Sequence, residues 1–468
     1  MSSKLFGPVD MTVGNPVKQI ITFTLPMLLG NIAQQLYSTV DSIIVGRYVG
    51  DNALAAVGSA TPIFMLMLVM IMGISVGAGI MVSQYFGARR RDDLSRAIGC
   101  CISMTAIASV IIMVIGPLIA GPLLRLLNTP DSIFNWCNAY LTILFLGIAG
   151  SNFYNILSGV LRGVGDSVSA LIYLLVATFT NIVLDLLFVA NFKMGVAGVA
   201  WATVIAQVIS AFLCLLKLTR MKALFDLKLE YILKPGRTYI SSLVKLGFPS
   251  GVTQAIFSMS MIIVQSLTNS FGELYIAANV IVMRIDGFVM LPAFSFGSAM
   301  TTYAGQNIGA DRMDRVHKGA REGTFVAMGI SSVLTVVILL FGRYLMAIFT
   351  RTPELIEMSY KCMAILAAGY IAMEVTQCLS GIMRGAGDTM TPMWISILTS
   401  VVLRVPLAYG LVWLSRTPEL PQGSCYMMQV SLLTTWVIGS LITFICYRVG
   451  RWKGKAITKR NEEEDELS

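Results

Sequence analysis

Charge is what this sequence has least of. Only 13% of its 468 residues are Asp, Glu, Lys or Arg, while 56% are apolar; a soluble protein carries about 25% charged residues. Such a chain cannot clothe the surface of a two-domain cytosolic enzyme, so the composition implies a polytopic membrane protein. Histidine is nearly missing as well, His317 being the single one. It falls in a basic loop and reads as a solvated side chain. The eight cysteines lie in apolar runs, with only Cys100 and Cys101 adjacent, and read as small buried hydrophobes without metal-ligand spacing. No HExxH, GxSxG or paired-aspartate protease motif is present, so the chain reads as a non-enzyme without cofactor. Nothing resembles a channel selectivity filter either. The first 15 residues lack a charged region feeding a cleavable apolar core, so the first helix is expected to act as the membrane signal.

What the sequence does have is apolar length. Windows of about 20 residues mark twelve spans, over 17–46, 52–82, 97–120, 133–158, 168–190, 195–217, 240–268, 274–304, 320–343, 357–382, 390–414 and 425–447. Pro26, Pro62, Pro249 and Pro292 lie inside them and are expected to supply bends. The loops decide orientation. Of the 34 lysines and arginines, 25 fall on one side of this arrangement, which the positive-inside rule assigns to the cytoplasm together with both termini. The net charge of +9 therefore marks a membrane margin and not a nucleic-acid partner. The acidic run Glu462–Glu466 reads as a solvated tail. The 28 methionines suit either an adaptable pocket or lipid-facing filler.

The chain repeats itself. Leu157 to Asp166 and Leu379 to Asp388 share one pattern at an offset of 222, and Gln84, Gly87, Ala88, Arg90 and Asp92 match Gln306, Gly309, Ala310, Arg312 and Asp314 at the same offset. Two six-helix halves follow: an N-lobe over 1–218, a basic linker over 219–238, a C-lobe over 239–448 and a cytoplasmic tail over 449–468. Six spans per half is even, so the lobes enter the membrane in the same direction. The expected fold is all-α, with twelve transmembrane helices in two parallel lobes related by a pseudo-two-fold axis along the membrane normal, as in many secondary transporters. Arg162 with Asp166, and Arg384 with Asp388, are four apart and predict braced cytoplasmic turns; Gly87 and Gly309 read as helix ends. The linker reads either as an amphipathic segment on the inner leaflet or as a simple tether.

Ionisable groups inside hydrocarbon are costly, and each is a functional candidate. Asp41, Asp185, Arg284, Asp286, Glu374 and Arg404 are the set here. The repeat separates scaffold from function. At offset 222, Gln34, Tyr37, Asp41, Asn181, Asp185 and Thr203 become Ile256, Met259, Ile263, Leu403, Leu407 and Cys425, so the N-terminal half alone keeps a polar group. Gln34, Tyr37 and Asp41 share one helical face, as do Asn181 and Asp185. Two carboxyls in one apolar cavity resist ionising together, which suits proton exchange. The same carboxylates with the Asn181 and Thr203 oxygens also suit Na⁺. In the C-terminal half, Asn152 and Asn155 become Glu374 and Gln377. Glu374 reads either as an ion-pair partner of Arg284 or as a substrate or ion contact, and Asp286 needs a partner on another helix.

These residues, taken in order, resemble the multidrug and toxic compound extrusion (MATE) family. The carriers are Leu25-Pro26, Asp41-Ser42 before Val45-Gly46, Gly77-Ala78-Gly79 leading to Ser83–Ala88, Leu161–Asp166, Asn181 to Asp185, and Gly195–Thr203. The resemblance covers nearly the whole chain. It implies two lobes that alternate access across an inner membrane and export diverse, often cationic lipophilic compounds in exchange for H⁺ or Na⁺, with a monomer surrounded by membrane lipids as the expected unit. The chain is similar to the DinF-like branch, whose N-lobe cation site would here be Asp41, Asn181, Asp185 and Thr203. Gln34, Tyr37, Asn152 and Asn155 would line the cavity, and Pro26 is the expected helix bend. One departure stands out: where other branches carry an acid in span 7, this chain has Phe257. Arg284, Asp286 and Glu374 remain as a C-lobe polar group. A lipid or lipid-linked oligosaccharide flippase of the wider superfamily is the rival, disfavoured by twelve spans and cavity acids.

Overall fold

A computed structural model describes residues 7–458. Lys4, Lys459, Arg460 and the acidic run Glu462–Glu466 lie outside the described residues. Long apolar stretches with no water to satisfy their backbone become helices, and in order these are α1 (Pro16–Tyr48), α2 (Asp51–Gly87), α3 (Arg91–Leu126), α4 (Asp131–Leu146), α5 (Ile148–Gly163), α6 (Ser167–Asp185), α7 (Gly195–Thr219) and the short α8 (Leu229–Leu233). The second half follows with α9 (Arg237–Asn269), α10 (Glu273–Val289), α11 (Leu291–Gly309), α12 (Met313–Ala347), α13 (Pro353–Ala367), α14 (Gly369–Gly385), α15 (Met390–Ile397), α16 (Arg404–Leu414) and α17 (Met427–Val449). Among the described residues, nine helical stretches are long and apolar enough to cross a membrane, and two bent pairs raise this to eleven. α1 falls short because Asn31, Gln34, Gln35 and Asp41 occupy its middle; with it the segments number twelve.

The helix breaks lie apart from three of the four prolines. α1, α2 and α9 run unbroken through Pro26, Pro62 and Pro249, and only Pro292 sits at a break, in the first turn of α11, where its missing N–H costs nothing. The sharp bends are of 51° between α4 and α5 and of 45° between α13 and α14. They flank Gly147 and Gly369, positions that correspond at the repeat offset. Two further irregularities are π turns, Leu186–Asn191 after α6 and Leu398–Leu403 before α16.

The described chain divides into two compact units. Within the described residues, unit 1 holds 7–11, Leu25–Gly251 and 457–458; unit 2 holds Thr12–Thr24 and Val252–Ala456. The first turns of α1 thus belong with the second half, and the first turns of α9 with the first half. Pro26 and Pro249 sit within three residues of these crossover points. Inside unit 1, α9 presses its backbone on α2: a Cβ at Gly77 would meet Gly247 N at 2.7 Å, so only glycine fits. Inside unit 2, the Arg312 and Arg315 guanidiniums donate to Thr12 O and Gly14 O, both at 2.9 Å.

The repeated turns are braced, by caps instead of an Arg–Asp clasp. Asp166 caps α6 by accepting from Ser169 N at 2.9 Å and Ser169 Oγ at 2.8 Å, and Asp388 accepts from Thr391 N at 3.1 Å and Thr391 Oγ1 at 2.6 Å. Their cations are lysines: Lys217 lies 3.5 Å from Asp166 and Lys455 2.9 Å from Asp388. Arg162 instead donates to Ser158 Oγ at 3.2 Å. α2 and α11 end at Gly87 and Gly309, but the left-handed residues are Arg89 and Asp311, two positions on.

The linker is docked and not a simple tether, and it leaves Leu229 and Leu233 exposed. Phe225 and Tyr231 are buried, Tyr231 Oη donates to Asp92 Oδ1 at 2.8 Å, and the Asp226 N–H donates to Ser95 Oγ at 2.9 Å. It is docked along the start of α3. A Cβ at Gly99 would stand 2.8 Å from Tyr231 Cβ, so the absence of a side chain there is what admits the linker.

Candidate functional site

The N-terminal polar residues converge inside unit 1. α1 brings Tyr37 and Asp41, one helical turn apart on one face; α6 brings Asn181 and Asp185; α7 brings Thr203. Tyr37 Oη and Thr203 Oγ1 are 3.2 Å apart. With its amide nitrogen turned toward the carboxylate, Asn181 donates to Asp185 Oδ2 at 2.8 Å, and its oxygen accepts from Thr203 N at 3.2 Å. The Asp41 and Asp185 carboxyls are within hydrogen-bonding reach of each other. Asp185 and Asn181 are buried, while Asp41, Tyr37 and Thr203 are half-buried. Asp41 Oδ1 and Asp185 Oδ1 are buried acceptors that no protein donor satisfies, a costly condition in a low-dielectric interior. The π turn Leu186–Asn191 begins directly after Asp185, an irregularity that often marks functional positions.

The other predicted residues form no hydrogen bond with this cluster. Gln34 is exposed. Asn152 is buried on α5 and turns its amide to Ser109 Oγ on α3, 3.0 Å away. The Asn155 amide donates to Ser151 O on its own helix at 2.8 Å. One residue escaped the sequence reading: Tyr140, buried on α4, interacts electrostatically with Asp41, Tyr37 and Asp185. The signal was available, because Tyr140 becomes Cys362 at the repeat offset and so breaks the symmetry as Asp41 does.

The C-terminal polar group is dispersed within unit 2. Arg284 is exposed on α10 and makes no ion pair with Glu374, which is buried on α14 with Oε2 unpartnered. The reason is register: Arg284 faces outward from α10, whereas Ile285 faces the core. Asp286 finds its partner on another helix, accepting from Tyr370 Oη at 2.9 Å. Arg404, buried on α16, interacts electrostatically with Asp286 and has its Nε unpartnered. Among the described residues no group of three or more His, Cys, Asp or Glu side chains is arranged to hold a metal ion.

The profile of the MatE family matches the chain twice, over residues 26–187 and again over 249–410. The chain belongs to the MATE family. The probable multidrug resistance protein YoeA of Bacillus subtilis is 30% identical over 449 residues, covering 93% of this chain and 94% of that relative. The probable multidrug resistance protein YpnP of the same organism is also 30% identical, covering 95% and 97%. Among solved structures, a MATE protein in complex with MaL6 superposes with a TM-score of 0.88 at 22% identity, over 98% of this chain and 100% of that one. The all-α, two-lobe, twelve-span MATE fold is therefore the fold of this chain, and the protein is a multi-pass membrane transporter, not an enzyme.

Proposed function

We propose that this MATE protein is a cation-coupled antiporter that exports drug-like, often cationic lipophilic compounds, with Asp41 and Asp185 as its coupling pair and Asn181, Thr203 and Tyr37 holding that pair. The carrying observation is the meeting of two carboxyls, each with an unsatisfied oxygen, in the half that alone retains them. A contact between two carboxyl groups needs one proton between them, so the pair is built to exchange H⁺, or to give its oxygens to Na⁺ in its place. A cation moving inward releases about 2.3 kcal/mol per charge per 100 mV. Cation entry from outside would redistribute the hydrogen bonds of α1 and favour release of the exported compound; loss of the cation to the cytoplasm would reset the lobes.

The basic margin supports a cytoplasmic position for both termini of an inner-membrane protein. The N-terminal acids together with Phe257 support the DinF-like branch. Buried acids also support export of cations over flipping of anionic lipids, and nothing in the function requires more than a monomer. The test is energised efflux from everted vesicles. Asp41→Asn should insert normally and lose transport, and collapsing the pH and Na⁺ gradients separately should identify the ion. Undiminished transport by Asp41→Asn would overturn the assignment.

A further inference from the structure

Unit 2 contains a cavity of about 740 Å³ that the coupling pair does not use. Its walls come from α12, α14, α17 and the 3₁₀ turn Arg451–Gly454. These walls are graded from charge to hydrocarbon. Down one face of α12 come His317, Arg321, Phe325 and Met328; α17 runs the opposite way and presents Phe444 before Tyr447 and Arg448. Both helices therefore put their basic residues at the same membrane margin and their apolar ones deeper. Val375 and Leu379 of α14 continue the apolar wall, Lys453 completes the basic rim, and among the described residues no acidic side chain lines the space. Arg321, Arg448 and Lys453 are exposed. The floor is fixed: buried Trp452 stacks on Tyr447 at 5.3 Å, and Tyr447 Oη lies 3.0 Å from His317 Nδ1. The buried Thr324 hydroxyl borders the space and has no hydrogen-bond partner among the described residues.

The repeat supplies the comparison. At offset 222, His317 corresponds to Ser95 and Arg321 to Gly99, two of the residues of α3 that receive the linker in unit 1. The linker fills that groove with Tyr231 and Phe225. In unit 2 the equivalent face carries an arginine where the linker needs a glycine, and a cavity remains.

We propose that an anionic glycerophospholipid fills this cavity, its phosphate among Arg321, Arg448 and Lys453 and an acyl chain along Phe325, Met328 and Phe444. Basic pockets between membrane helices suit such headgroups, and a membrane supplies the chain. The inference needs only that the chain spans a membrane, and not that Asp41 couples transport.

The experiment is native mass spectrometry and thermal denaturation of the full chain, delipidated in detergent and titrated with phosphatidylglycerol, phosphatidylcholine or glycerol phosphate. Phosphatidylglycerol should bind at one site per chain and raise the Tm, with the other two probes binding at least tenfold more weakly. The triple variant R321Q/R448Q/K453Q should lose at least tenfold in phosphatidylglycerol affinity. The equal-charge control R220Q/K222Q/K234Q should keep it. Unchanged binding by the first triple variant, equal binding of phosphatidylcholine, or equal binding of glycerol phosphate would overturn the proposal. So would binding that appears only when residues 459–468 are deleted, since the acidic Glu462–Glu466 run would then be the occupant.

Discussion

The two halves share a plan and differ in what they do with buried charge. In the first, Asp41, Asp185, Asn181, Tyr37 and Thr203 gather at the junction of three helices, with Tyr140 beside them. In the second, Asp286 is tied to Tyr370, Glu374 is isolated and Arg404 stands near Asp286 without enclosing a common space. Even the fifth span differs: the π turn follows the acid in α6 but precedes Arg404 in the second half. A duplicated scaffold thus leaves one copy free to lose the cluster while the other keeps it. Matched turns such as those at Asp166 and Asp388 hold both copies in register.

Four sets of substitutions test this contrast. Asp185→Asn and Asp41→Asn should each reduce gradient-driven efflux to background, whereas Glu374→Gln should leave coupling intact; loss of coupling in Glu374→Gln would place the second half in the mechanism. Next in size is Gly99→Arg, which copies Arg321 into the first half. It should expel Tyr231 and make residues 224–236 readily cleaved by protease in the folded protein, while Arg321→Gly changes no cleavage pattern. The helix caps come third. Asp166→Ala and Asp388→Ala should each cost about 1–2 kcal/mol, measured as a lower Tm, and a much larger loss in one would show that the repeated turns are unequal. Smallest is Arg284→Gln, an exposed side chain without a partner, which should shift stability by no more than about 0.5 kcal/mol.

Apolar length and the offset of 222 made the spans and both lobes readable, because backbone hydrogen bonding in a membrane permits little except helix. The same offset exposed Asp41 and Asp185. It would also have exposed Tyr140, but a phenol among apolar residues reads as core packing, and its neighbours come from other helices. The breaks beside Gly147 and Gly369 carried no proline signal, since the residues there are small and apolar. The absent Arg284–Glu374 pair shows the limit of pairing charges by type. Facing is decided by rotation about the helix axis, and a two-residue spacing to Asp286 does not fix it.

The crossover of α1 and α9 between the two units has a consequence for biosynthesis. Arg312 closes on Thr12 across 300 residues, and Ile457 on Gln84 across 373. At about 5–20 residues per second, the amino-terminal segment waits on the order of 15–60 seconds for its acceptor site to emerge. Throughout that interval neither unit is complete, so the nascent chain depends on the insertion machinery or lipid to shelter it. The final step of assembly belongs to the carboxy-terminal residues, which makes this transporter sensitive to premature termination far downstream of its coupling carboxylates.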